Sequence, residues 1–170
     1  MNHVYLRMAQ TLLLGLAGLS EAHAQFEKTP WPSTQKTPSF AFKDVSGHDY
    51  TPALLRGKKI VLNFWATWCA PCKEELPSLQ LFSDLQNPDQ LLVLTINVKE
   101  PASRAQRFMQ NNQITLPLIS DQQGEWAQKF GVKVYPSTLL IDSKGNIRWR
   151  IVGEVDWTAA EPQAWVNALP

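Results

Sequence analysis

The sequence predicts an α/β fold, a mixed central sheet flanked by helices, and three segments carry that reading. Lys59 to Trp65 (KIVLNFW) is a nearly continuous apolar run, as expected of a strand buried on both faces. Pro71 to Gln86 carries Leu76, Leu79, Phe82 and Leu85 at helical spacing. Leu91 to Val98 (LLVLTINV) is a second buried strand. Strand, helix and strand in succession form a βαβ unit, which implies parallel pairing and a right-handed crossover.

Before that unit, residues 1–24 have the three-part layout of a secretory signal peptide. Arg7 closes a short basic start, Met8 to Leu19 is mostly apolar, and Ala22-His23-Ala24 offers small residues at the two positions a peptidase reads. Cleavage is expected before Gln25. A retained anchor is the alternative, but a span needs about 20 apolar residues, and the apolar run is shorter. Residues 25–38, with Pro30, Pro32 and Pro38 among polar side chains, read as a flexible leader. Residues 39–170 then form one domain. Phe40 and Phe42 alternate with polar or small neighbours up to Asp44, Ser46-Gly47-His48-Asp49 is turn chemistry, and Tyr50 starts a return strand.

After the βαβ unit, Pro101 to Asn112 reads as a helix with Ala105, Phe108 and Met109 on one side. Leu116 to Ile119 reads as a short strand, and Glu125 to Phe130 as a short helix closed by Gly131. Ser137 to Asp142 and Asn146 to Val152 are strands joined by a short Ser143-Lys144-Gly145 loop. Pro162 suits the first turn of a final helix. The formal net charge of +1, with no block of like charges, gives nucleic acid or an anionic membrane surface no electrostatic footprint. Seven tryptophans are many for this length, yet aromatic residues most often fill cores.

The only two cysteines stand close together, as Cys69-Ala70-Pro71-Cys72, between a buried strand and a helix. In an oxidising compartment cysteines usually serve as structural staples. A four-residue loop gives a staple only about 2 kcal/mol in the chain-entropy model, against about 3 for fifteen residues. A structural zinc site needs four ligands, and only His3, His23 and His48 accompany the thiols. A reactive pair fits the placement better. The helix N-terminus, with its unpaired N–H groups and macrodipole, favours a thiolate at Cys69, and such thiols ionise at about 3.5–7.5 rather than ~8.5. Pro71 lacks an N–H and belongs in that first turn. Cys72, one turn in, is placed to resolve a mixed disulfide formed on Cys69.

Asn63-Phe64-Trp65-Ala66-Thr67-Trp68-Cys69-Ala70-Pro71-Cys72 resembles the active-site segment of thioredoxins. It is closer still to the TlpA/ResA-like branch of exported thioredoxin-fold thiol–disulfide oxidoreductases. The likeness continues through Lys73-Glu74-Glu75-Leu76-Pro77, similar to a W-C-x-P-C-x-x-E-x-P pattern. It resumes at Gly131-Val132, Tyr135-Pro136-Ser137-Thr138 and Ile141 to Gly145. The resemblance implies a thioredoxin fold with an N-terminal β-hairpin and a central insertion over Pro101 to Leu118. Asn63 stands where cytoplasmic thioredoxins resemble one another in having a buried acid. An amide cannot ionise, so Glu75, three residues after Cys72 on one side of the helix, is the candidate proton acceptor. Its plainer reading is a first-turn acid answering the helix dipole, a part Glu74 also fits. Pro136 resembles the cis-proline that faces the cysteine pair, leaving the Tyr135 backbone open to an extended substrate. An ordinary proline at a strand start is the alternative. Trp68 is expected to shield the cysteines, Trp65 to be core, and His48 to be a turn residue.

The resemblance implies a periplasmic reductase acting on protein disulfides, as similar proteins do for apocytochromes or metal-site cysteines. It also implies a membrane-embedded thiol donor and no cofactor or resident metal. The alternative is a copper-delivery protein on the same fold. Such relatives pair cysteines with a histidine in the later loops, and no histidine follows His48. A peroxidase on this fold would need a T-x-x-C context, which is missing.

Overall fold

The computed structural model describes residues 26–170. The expected signal peptide and its cleavage point lie outside the described residues. Strand β1 spans Phe26–Pro30, and a small hairpin follows, β2 (Phe42–Lys43) with β3 (Asp49–Tyr50). The βαβ unit is β4 (Lys59–Trp65), α1 (Ala70–Asp84) and β5 (Leu91–Val98). Next come α2 (Ala102–Asn111), β6 (Leu118–Asp121) and α3 (Glu125–Lys129). The chain closes with β7 (Ser137–Ile141), β8 (Ile147–Gly153) and α4 (Ala160–Asn167).

Six strands form one sheet in the order β1-β8-β7-β4-β5-β6. β4, β5 and β6 run parallel, whereas β7, β8 and β1 add antiparallel neighbours on the other side of β4. The mixed sheet explains the apolar runs. β4 lies between β5 and β7 and is buried at every position after Lys59, so no polar face is left to alternate. The register sets Trp65 opposite Asn97, so the ends of β4 and β5 emerge side by side. The residues that follow those two ends build the site.

The hairpin is small but anchored. Asp44 bridges to Ile119 of β6, and its carboxylate accepts from the N–H groups of Ser46 and His48 and from the Tyr50 hydroxyl. His48 is therefore a turn residue, as expected. Phe42 stacks on Phe40 at 4.7 Å and meets Trp126 of α3 edge-on at 4.8 Å, sealing one end of the core.

The segment expected as a flexible leader is corrected by the structure. Phe26–Pro30 is an edge strand paired with β8 from Phe26↔Gly153 to Pro30↔Trp149. Its polar composition misled because an edge strand packs through a few side chains. Phe26 meets Trp165 edge-on at 5.2 Å, the Lys28 ammonium sits 3.7 Å over the Trp149 ring, and Trp31 is buried. Pro30, at the last position of an edge strand, is where a missing N–H is tolerated.

Candidate active site

Helix α1 begins one residue after Cys69, which is itself the N-cap with extended backbone (φ −95°, ψ 108°). Its Sγ accepts the Cys72 N–H at 3.3 Å, so one of the helix's unpaired amides points at the sulfur. Pro71 occupies the first turn. The two sulfurs are joined in a disulfide with Cα atoms 5.3 Å apart. Cys72 is buried completely, while Cys69 lies at the edge of the core. The helix start also corrects the expectation for Glu74: with Ala70 as the first residue, neither Glu74 nor Glu75 falls in the first turn.

Glu75 is 2% exposed, on the same inward face as Cys72 and Leu76. The Trp157 indole N–H donates to its Oε1 at 2.8 Å, the Asn63 amide to its Oε2 at 3.1 Å, and the Val155 N–H adds a third bond. Burial pushes its carboxyl up to about 8, against the pull of those three donors. Asn63 also donates to the Thr138 hydroxyl at 2.9 Å, while its own carbonyl oxygen is buried without a partner. If the amide turned over, that oxygen would face Glu75 and Thr138 and accept a hydrogen bond from the O–H of either. Asn63 can thus match both the charged and the neutral carboxyl.

A second buried acid, Glu100, was not marked by the hydrophobic pattern. It lies two residues past the end of β5 and is 3% exposed. One oxygen accepts the Thr67 N–H at 2.7 Å and the Asn97 amide at 2.6 Å, and the other accepts the Thr67 hydroxyl. It therefore fixes the turn that delivers Cys69. The available signal was topological: an acid just past a strand lying parallel to the one that ends in the cysteine loop. Trp157, 82 residues from Glu75, was placed by the sequence only in the tail.

Opposite the cysteine loop, the Tyr135–Pro136 bond is cis. Tyr135 meets Trp68 edge-on at 5.7 Å, so the proline loop and the cysteine loop touch through their aromatic rings. Trp68 is 53% exposed and Val134 beside Tyr135 is also exposed, which gives the site an apolar rim. Among the described residues the Tyr135 N–H and carbonyl have no backbone partner. Trp65 is fully buried, as expected of core. Among the described residues no three His, Cys, Asp or Glu side chains cluster as a metal site.

Comparison with known proteins agrees with this geometry. The family described as Redoxin matches residues 32–168. Thiol-disulfide oxidoreductase ResA of Geobacillus thermodenitrificans is 34% identical over 145 residues, covering 84% of this chain and 83% of the relative. Sporulation thiol-disulfide oxidoreductase A of Bacillus subtilis is 30% identical over 159 residues, covering 92% and 93%. The crystal structure of StoA from Bacillus subtilis superposes with a TM-score of 0.62 at 29% identity, covering 72% of this chain and 98% of that one. A thioredoxin-fold sheet, a cysteine pair across the first turn of its helix and these matches place the chain in the Redoxin family, among the ResA-like thiol–disulfide oxidoreductases.

Proposed function

We propose that the protein is a periplasmic reductase of disulfides in exported proteins. The observation that carries the reading is the pairing of Cys69, capping α1, with a resolving Cys72 whose helix face also bears the buried Glu75. In the reduced enzyme the Cys69 thiolate attacks one sulfur of a substrate disulfide. A mixed disulfide forms and the first substrate thiolate leaves. Cys72 gives its proton to the Glu75 carboxylate and attacks Cys69 Sγ, which releases the second substrate thiolate and closes the Cys69–Cys72 bond. Two electrons have then passed from enzyme to substrate. A carboxyl held at about 8 suits this task, because its affinity for the proton is close to that of an ordinary thiol, ~8.5.

Trp68, Tyr135 and Pro136 are assigned to substrate binding. The rings supply apolar contact, and the unpartnered Tyr135 backbone supplies hydrogen bonds to an extended substrate strand. Export rests on the signal-peptide layout of residues 1–24, and the reducing direction on the Ala-Pro dipeptide between the cysteines, which resembles the reducing members of the family. Apocytochromes or metal-site cysteines are the substrate classes that resemblance favours. In an oxidising compartment the pair must be recharged by a second dithiol, here assigned to a membrane-embedded donor.

The reading is tested with Cys69→Ser and Cys72→Ser. Cys69→Ser is expected to abolish reduction of a peptide disulfide. Cys72→Ser is expected to accumulate mixed disulfides through Cys69, whose captured proteins mass spectrometry identifies. Reduction that survives in Cys69→Ser would refute the mechanism.

A further inference from the structure

A cleft of about 380 Å³ starts at Tyr135 and runs between the end of β5 and helix α3. Lys99 and Lys133 line it, with Gln123, Gly124 and Gln128 between them. Both lysines are exposed, and among the described residues neither takes part in an ion pair. Two of the acids nearby are already engaged, while Glu125, next to Gly124 at the start of α3, is exposed and in no ion pair among the described residues. Glu100, next to Lys99, points inward at Thr67 and Asn97. Asp121, whose carbonyl accepts the Lys99 N–H, is buried and its carboxylate accepts the N–H groups of Trp126 and Ala127. Lys129 of α3 is turned onto the Trp126 ring, 5.0 Å away.

The placement of Lys99 is unusual in its backbone. It has φ +56°, the left-handed region that non-glycine residues seldom occupy. Its stem lies on Gly124, where an added Cβ would stand 3.2 Å from Lys99 Cε. A side chain at 124 would press on that stem and shift it by a few tenths of an ångström. A strained backbone and a glycine floor therefore hold a cation in a cleft that opens on the substrate-binding residue Tyr135.

We propose that this cleft receives an acidic stretch of the substrate protein, lying beside the disulfide that Cys69 attacks. The inference rests on the disulfide-reductase reading above and adds a substrate class to it. Exposed lysines act mainly by steering and weak pairing, so the effect falls on KM rather than kcat and fades with salt.

The test uses the mature protein and three peptides that carry one disulfide flanked by Asp, Ser or Lys. Wild type is expected to show a KM about fivefold lower for the acidic peptide than for the neutral one at low salt, and higher still for the basic one. The preference is expected to vanish in Lys99→Gln/Lys133→Gln and in high salt, with kcat on the neutral peptide unchanged. Equal KM values for acidic and neutral peptides, or a preference that persists in the double variant, would overturn the cleft while leaving the reductase intact. If no peptide is reduced, the reductase reading fails instead. Calorimetric titration with an acidic peptide whose cysteines are replaced by serine then decides the cleft separately. Binding lost in the double variant supports it, and no binding, or equal binding by both proteins, refutes it.

Discussion

Glu75 is the residue to which the proposal assigns the resolving proton, and burial and its three donors pull its proton affinity in opposite directions. Burial wins, and the carboxyl rests at about 8 against an ordinary 4.5. A raised folded value means that the folded state holds the proton more tightly than the unfolded chain. The stability this contributes is complete below about 4.5 and is lost as pH climbs through about 8. Glu75→Gln cannot titrate, so its urea midpoint relative to wild type is expected to rise over that window. A pH-independent difference would contradict the assignment. The same substitution is expected to slow resolution of the mixed disulfide by about a hundredfold or more, measured by rapid quenching. Trp157→Phe deletes the indole donor at 2.8 Å and leaves the carboxyl with less reason to ionise. The pH midpoint of the resolving step should then move upward; a downward move would mean that Trp157 does not stabilise the charged form.

The cysteine loop is set by two strand ends and one helix start, and the sequence disclosed these unevenly. The apolar runs of β4 and β5, the spacing of Leu76, Leu79 and Phe82, and Pro71 in the first turn all follow local rules, so the position of Cys69 on α1 could be read directly. Glu100 could not be read that way. Its partner Thr67 lies 33 residues earlier, and an acid after a strand looks like ordinary surface charge until the β4–β5 register is known. Trp157 was hidden for the same reason, its bond to Glu75 spanning 82 residues. The leader was misread because Phe26 and Lys28 find their aromatic partners in β8 and α4, and the Trp31 backbone N–H its acceptor at Arg148 of β8, all far along the chain. Glu100→Ala strips the Thr67 N–H and the Asn97 amide of their acceptor. It is expected to cost about 1–3 kcal/mol in urea unfolding and to slow the attack by Cys69. A variant with wild-type stability would show that the clamp carries no weight.

The sheet as a whole divides into a parallel half that carries the chemistry and an antiparallel half that joins β1, the first described strand, to β8. β4, α1 and β5 are near in sequence and form the nucleus one would expect of a βαβ unit. β1 is the reverse case. Thr29 meets Arg150 across 121 residues, so among the described strands β1 gains its one strand partner only when most of the others have been made. Phe26→Ala is therefore expected to speed unfolding while leaving the refolding rate almost unchanged, as stopped-flow kinetics would show. During synthesis the order has a practical result. β1 emerges as an edge with nothing to pair with, and Phe26 and Lys28 stay open to solvent until Trp149 of β8 and Trp165 of α4 have been made.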